Sequence, residues 1–504
     1  MSEISTELIK QAVYDLCFKA NTCLDKRVYQ KISAAYSKAK KQETRNILKS
    51  ILQNARTAYE KNRPLCQDTG QVIVFLEIGQ EVKLTGEFIE EAVNSAVEKC
   101  YRENFFRKSV VENAVFKRVN TTTNTPCIIY TDITRGDEIN IQVLIKGAGS
   151  ENKSRLEMLL PTTNEEEIVS AMGDLILSAG ENACPPMFIG IGIGASADKA
   201  AVMSKKALVL ENFKIDEKNN QTMLMSEKAL ISKSSAIGET NSETLSVSKK
   251  ALVLDCLAAA ENELAQKIKN YVNQKSPEKY GDSFLLDVKL KTCQTHIACL
   301  PAAVTINCHS DRTSSCRIKD NKIFYYHQVP DFIEFDENNE NGIEIFTGDI
   351  ETIRRLKKGD EILLTGEIFT ARDMAHKRIV EMMRRGEPLP FDLKNKIIFY
   401  AGPCPAKDGE ITGSIGPTTA SRMDKYAVEF YNAGMIASIG KGSRSEETIQ
   451  AIKRNNAKYF TVTGGIAALL ADRIKESSII AFEDLGAEAV YRLRTEKLPV
   501  KVEI

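Results

Sequence analysis

The chain has 504 residues, with 68 Lys+Arg balanced by 68 Asp+Glu. That balance removes the overall electrostatic footprint that binding to nucleic acid or an anionic membrane needs, so any anionic ligand must be met by locally placed Arg and Lys. The length has room for roughly two to four domains with large cores. Met1-Ser2-Glu3-Ile4 lacks the basic and apolar regions of a signal peptide, and no apolar run reaches bilayer-spanning length, so a soluble, cytoplasmic chain is expected. There are 12 cysteines and no CxxC pair, which argues against a zinc ribbon or a thioredoxin-like site.

Taken in order, residues 4–60 read as helix, from Ile4, Leu8, Val13 and Leu16 and then Ile47, Leu52, Ala55 and Tyr59. Pro64 ends that region and leads into Cys66-Gln67-Asp68-Thr69-Gly70. A thiol, an amide, a carboxylate, a hydroxyl and a glycine in a row suit a loop that brings functional groups to one point; a Pro/Gly turn around a buried free cysteine is the alternative. Val72 to Ile78 is a short strand, and 86–103 returns to helix. Phe106-Arg107-Lys108-Ser109 and the polar run Asn120 to Pro126 precede strands near 127–133 and 138–146. The second strand runs into Lys146-Gly147-Ala148-Gly149-Ser150-Glu151-Asn152, whose backbone N–H groups suggest a cradle for an anion, although no Walker A spacing is present.

Glu165 to Ala179 is helical, and Cys184-Pro185-Pro186 follows. Gly192, Gly194 and Ala197 then satisfy GxGxxA between an expected strand and helix, with Glu211 downstream. This is a dinucleotide reading weakened by the lack of a longer crossover helix and a well-marked second strand. The heptapeptide Ser204 to Leu210 recurs at Ser248 to Leu254, with a weaker copy at Ser226 to Ile231; too few copies for a solenoid, it reads as a local duplication or surface insertion. Leu285 to Leu290 is a strand. Two of the 4 histidines, His296 and His309, follow it, and Cys299 with His309 forms one possible metal pair among competing Cys293, Cys308 and Cys316. The acidic, aperiodic stretch 328–343 reads as a linker between two domains.

Beyond it, strand–loop–helix units repeat. A strand at 361–370 precedes helix Arg372 to Arg385, strand 396–400 precedes helix 418–433, strand 435–440 leads to Lys441, and strand 459–463 leads to helix 466–475. Ser443 and Glu446 stand in capping-box spacing. The loops at the strand C-ends are expected to gather at one crevice, where helix N-termini favour anions. Thr418 and Arg422, at i and i+4, would share a face in a first helical turn, near Arg372 and Lys441. A hydroxyl and three cations look like a site for a small polyanion such as a dicarboxylate; an N-cap threonine and solvated cations are the alternative.

Together, Cys66 to Gly70, Lys146 to Asn152, Cys184-Pro185-Pro186, Arg372 to Arg378, Gly416 to Asp424 and Lys441-Gly442-Ser443-Arg444 resemble class I fumarate hydratase, the iron–sulfur hydro-lyase family that includes L(+)-tartrate dehydratase. The motifs occur in family order along the whole chain. The resemblance implies an α/β and α+β fold of two domains: a mixed cluster-binding domain over 1–325, a linker over 326–343 and a swivelling β/β/α domain over 344–504. It implies a 4Fe–4S cluster on Cys66, Cys184 and Cys308, with one open iron as Lewis acid for the hydration of fumarate to L-malate. It assigns acid–base work to Asp68 and Thr418, and substrate contact to Gln67, Arg107, Gly147, Ala148, His296, Arg372, Arg422 and Lys441. A homodimer is implied, with no nucleic acid or membrane partner. Ala148, Gly194-Ala195-Ser196, the insertion around 215–250 and the shortened glycine segment Lys279 to Asp282 depart from the family pattern and bear on substrate choice and loop shape. Tartrate dehydration is the near alternative. An NAD-dependent oxidoreductase built on 192–197 and a non-catalytic iron–sulfur redox sensor are the alternatives from other classes.

Overall fold

The computed structural model describes residues 2–116, 118–209, 242–335 and 342–504. The expected helical region comes as three helices, Thr6–Thr22, Lys26–Lys38 and Gln42–Glu60. The first break is set by Asp25, whose carboxylate accepts the Arg27 N–H at 3.0 Å as an N-cap.

Strand Gln71–Gly79 is nearly continuous in apolar residues because both of its faces are covered. Val72, Val74 and Leu76 face helices Thr6–Thr22 and Ile89–Glu103, while Ile73 and Phe75 pack with Leu144 and Leu208. It pairs in parallel with Ile128–Thr134 and antiparallel with Ile139–Lys146, which in turn pairs with Thr313–Lys319. A second sheet centres on Met187–Ala195, flanked by Leu285–Thr295 and Leu300–Asn307, with Arg155–Leu159 at its edge.

The GxGxxA segment has a packing role in this second sheet. A Cβ at Gly190 or Gly192 would run into the carbonyl oxygens of Ser204 and Ala200, so these glycines let helix Ala197–Val209 lie directly on the strand. Gly192→Ala should therefore lower the unfolding free energy by about 1–3 kcal/mol, the usual cost of overpacking, and a thermal denaturation curve measures it. The described residues of the two heptapeptides, 204–209 and 248–254, fall in two different helices, Ala197–Val209 and Ser242–Lys275, while Leu210 and the intervening copy at 226–231 lie outside the described residues.

The C-terminal strands Glu361–Thr370, Ile397–Phe399, Ala437–Gly440 and Lys458–Thr461 run parallel. Val490–Val502 returns antiparallel against both Lys458–Thr461 and Glu361–Thr370, so the pairings close on themselves. Helices Asp373–Arg385 and Asp424–Asn432 cover one side of this sheet. On the other side a single apolar cluster joins Ile362, Leu364, Phe399 and Ile439 to Val28, Ile32, Leu48 and Leu52 of the N-terminal helices. Residues 326–335 of the expected linker have no regular structure, yet Phe332 and Phe335 pack edge-on against Tyr29 and Tyr36.

Three local expectations are corrected. The helix expected over 418–433 begins only at Asp424, after a 3-10 turn at Ala420–Met423. Thr418 precedes that turn in extended backbone, because its N–H donates to Tyr400 O and its carbonyl accepts the Lys441 N–H. Thr418 and Arg422 therefore do not share a helical face. The cap of helix Glu446–Arg454 is Ser445, which accepts the Thr448 N–H, and no box forms between Ser443 and Glu446. The helix expected over 466–475 is confined to Ala467–Ala471, because strand Ile474–Ala481 already begins within that range.

Candidate functional site

Four parallel strands of the C-terminal sheet end at Thr370, Phe399, Gly440 and Thr461, and the loops beyond them carry Arg372, Gly402, Lys441 and Gly464. This is the crevice side of a parallel sheet. Facing it are four N-terminal loops: Cys66 to Gly70 before strand Gln71–Gly79, Gly147 after Lys146, Cys184 before Met187, and Cys308 after Asn307. Gly70, at φ +69°, lets the first loop lie against Lys146, whose carbonyl oxygen would be 2.7 Å from a Cβ there.

The three thiols Cys66, Cys184 and Cys308 all lie within charge-interaction range of one ammonium, that of Lys441. Lys441 Nζ donates to Cys184 Sγ at 2.6 Å. Burial pulls that ammonium down, but Cys184, Cys66 and Cys308 outweigh it and hold it above its ordinary value. Burial pushes the Cys66 thiol up to about 12, opposed by Arg312 and reinforced by Cys308 and Asp68. Burial likewise raises Cys184, opposed by Lys441. Cys184 sits at φ +58°, an unfavourable backbone conformation for a side-chain-bearing residue, and Gly464 leaves room for its sulfur. Among the described residues no three His, Cys, Asp or Glu side chains converge as closely as one metal ion requires.

Asp68 stands beside this group. Burial acts to raise its carboxyl, but Arg107, Arg312 and the N–H groups of Ala148 and Gly70 outweigh that and hold it below the usual carboxylate value. Arg107 Nη2 lies 3.3 Å from Oδ1, and the Ala148 N–H donates to Oδ2 at 2.8 Å. The loop N–H expected to meet an external anion is thus engaged by an internal one. Gln67 Nε2 donates to Pro417 O at 3.3 Å, which ties the Cys66 loop to Thr418. Arg107 also donates from Nη1 to Gly402 O at 3.3 Å, and a Cβ on Gly402 would meet Arg372 Cδ at 3.0 Å. Burial, reinforced by Arg107 and Arg422, lowers Arg372 to about 10.

The structure therefore links Cys66, Gln67, Asp68, Arg107, Gly147, Ala148, Cys184, Cys308, Arg372, Thr418, Arg422 and Lys441 through contacts or close charge interactions. His296 is apart from them: it is exposed on the turn beyond Thr295, with Nδ1 accepting the Ala298 N–H. Arg422 is committed to a bidentate pair with Asp373, at 2.9 and 2.6 Å.

Several contributors carry no distinguishing sequence signal. Arg312 donates to Asp68 O at 2.6 Å and to Asn21 Oδ1 at 3.3 Å, holding the Cys66 loop to the first helix. Lys146 is buried between the two N-terminal sheets, bonded to Ile306 O and, at 2.8 Å, to Asn307 Oδ1, while Asn307 Nδ2 donates to Asp311. That chain braces the turn bearing Cys308. Asp424 pairs with Arg444 at 2.7 Å and accepts the Ser445 N–H, fixing the turn after Thr418 against the loop after Lys441. Lys146 and Asp424 lie inside motifs noted in the sequence, but spacing alone cannot show which neighbour each grips.

Two family models cover most of the chain: Fumarate hydratase (Fumerase) matches residues 10–317, and Fumarase C-terminus matches residues 321–504. "Fumarate hydratase 2" of Leishmania major is 28% identical over 473 residues, covering 90% of this chain and 77% of that protein. "Fumarate hydratase class I, anaerobic" of Escherichia coli is 28% identical over 522 residues, covering 99% of this chain and 87% of that protein. In Methanocaldococcus jannaschii two separate proteins, provisionally named L(+)-tartrate dehydratase subunits alpha and beta, each match part of the chain. The first is 33% identical, covering 62% of this chain and 98% of its own length; the second is 42% identical, covering 28% and 75%.

Proposed function

The chain belongs to the fumarate hydratase (Fumerase) family, and on that premise we propose that it catalyses the reversible hydration of fumarate to L-malate at the crevice described above. The observation that carries the reading is the grouping of Cys66, Cys184 and Cys308 around Lys441, beside a carboxylate and a cluster of guanidinium groups. The three cysteines are assigned to a 4Fe–4S cluster. The donor set fits: burial holds Cys66 and Cys184 as thiols, and their ionisation needs positive charge at sulfur, which metal coordination provides. A cubane cluster is also wider than a single ion, so its thiolates stand further apart than the ligands of one metal. When bound, such a cluster supplies one iron without a protein ligand, a Lewis acid for carboxylate and hydroxyl oxygens.

The chain's own residues account for the rest. Arg107, Arg372, Arg422 and Lys441 hold the two substrate carboxylates and offset the negative charge that develops when a proton leaves the carbon beside one of them. Asp68 and Thr418 carry the proton transfers, and Gln67 with the Gly147–Ala148 backbone lines the pocket. His296 joins as a substrate contact only if its exposed turn folds over the crevice. Residues 1–325 and 344–504 are assigned to the cluster-bearing and substrate-binding domains, and a homodimer is the expected assembly. No helix among the described residues is long and apolar enough to cross a membrane.

L(+)-tartrate dehydration is the second reading, favoured by the higher identity to the Methanocaldococcus jannaschii subunits. Anaerobic purification, iron and sulfide analysis, and turnover with fumarate against L(+)-tartrate decide between them. The expected result is a cluster with faster hydration of fumarate. A chain that takes up no cluster on anaerobic reconstitution sinks both readings.

A further inference from the structure

The segment between strands Ile474–Ala481 and Val490–Val502 crosses the N-terminal end of helix Asp373–Arg385 as a strap. Two latches hold it there. Arg378 makes a bidentate pair with Asp484, both bonds at 2.8 Å, with its guanidinium 4.8 Å from the Phe482 ring centroid. Glu488 grips twice: Oε2 accepts the Met374 N–H at 2.9 Å, and Oε1 lies 3.3 Å from Arg372 Nη2. Phe482 and Gly486 both adopt positive φ, +58° and +56°, where the strap turns. The strap also presses on the crevice, since a Cβ on Gly402 would run into Ala487 O as well as into Arg372.

We infer that Glu488 is a positioning residue of the dicarboxylate pocket, fixing the Arg372 guanidinium in the orientation that receives a substrate carboxylate. This rests on the proposed role of Arg372 as a carboxylate contact. Arg107 and Arg422 lie close enough to Arg372 to disfavour its charge, so the Arg372 guanidinium needs a counter-charge to hold its place among them. Asp373 takes the bidentate edge of Arg422, and Glu488 takes one end of Arg372. Because a helix N–H anchors its other oxygen, Glu488 is a fixed counter-charge. The buried Arg372 Nε has no acceptor among the described residues, which leaves a donor open for an incoming oxygen. A guanidinium held on one side and open on another is pre-organised for a carboxylate, and less entropy is lost when it binds.

The test uses the anaerobically purified, cluster-loaded enzyme. Glu488→Gln keeps the size and the Met374 acceptor but removes the charge facing Arg372. KM for fumarate and for L-malate should rise about tenfold, with kcat changed less than about twofold, the mark of lost uniform binding. Iron content and Tm should match the parent enzyme. Asp484→Asn, which loosens the strap away from the pocket, should raise KM by a smaller factor and keeps the inference testable if the first variant does not fold. Arg372→Ala is the control for the underlying reading: if it leaves KM unchanged, Arg372 is not a substrate contact and that reading falls. If Arg372→Ala raises KM while Glu488→Gln leaves KM unchanged or lowers it, the inference about Glu488 is overturned and the reading stands. A drop in Tm with unchanged KM overturns it as well, because that is the signature of a purely structural ion pair.

Discussion

Cys184→Ser is expected to yield a folded protein with no iron–sulfur absorbance and no turnover above background. The sulfur is fixed by its surroundings. The residue is held at φ +58°, a Cβ added to Gly464 would stand only 2.5 Å from its Sγ, and Lys441 Nζ donates to it at 2.6 Å. A serine fits the space and keeps the Lys441 hydrogen bond, so the fold should survive. Its hydroxyl does not ionise at neutral pH and is a poor ligand for iron, so under the proposed assignment only two of the three cluster thiolates remain. Iron and sulfide counts, visible absorbance and turnover read the result, with circular dichroism confirming the fold. A variant that keeps a full complement of iron and sulfide removes Cys184 from the ligand set.

Asp68→Asn should separate chemistry from cluster assembly. The side chain keeps its shape, and the amide oxygen can still accept the Ala148 N–H now donated at 2.8 Å. What disappears is the negative charge facing Arg107 and Arg312, and with it the capacity to exchange a proton. A positioned acid–base group is worth about 10²–10⁴-fold, so kcat should fall by that factor while cluster content stays at the parent level. Thr418→Ala should behave the same way, since the Thr418 backbone contacts to Tyr400 and Lys441 do not involve the hydroxyl. Rapid-quench or steady-state assays on cluster-loaded protein measure both. Full activity in Asp68→Asn would take Asp68 out of the proton transfers and leave the rest of the site assignment in place.

Much of the candidate site is legible because its residues come in short runs that make no sense as core. Cys66 to Gly70 alternates neither like a strand nor like a helix, and the structure makes it a loop held over strand Ile139–Lys146 by Gly70. A local rule puts Arg372 and Lys441 directly after strands, and in the structure both follow strands that end at the crevice. The same kind of rule misplaces Thr418. A threonine and an arginine at i and i+4 before an apolar run look like a helix start, but the backbone of Thr418 is taken by Tyr400 and Lys441, and the helix waits until Asp424. Gly192, Gly194 and Ala197 fit a nucleotide signature because spacing alone cannot distinguish close approach to a ligand from close approach to the protein itself; here Gly192 lies against helix Ala197–Val209 and Gly194 against the Cys293 carbonyl.

The sequence by itself determined the chemistry available: three thiols, a carboxylate, a threonine and four cations in motifs of recognisable order, most of them in loops that flank apolar strands. Periodicity and loop composition are local properties, and local properties survive in the linear chain. Tertiary structure decided which charges meet. Lys441 reaches Cys184 across 257 positions, Arg312 reaches the Cys66 loop across 244, and Glu488 reaches Met374 across 114. It also decided that the N-terminal helices share a core with the C-terminal sheet instead of ending in a self-contained unit. Contacts of that separation depend on how sheets stack and where loops cross. Electrostatic strength falls off over a few ångströms in space, whatever the distance along the chain.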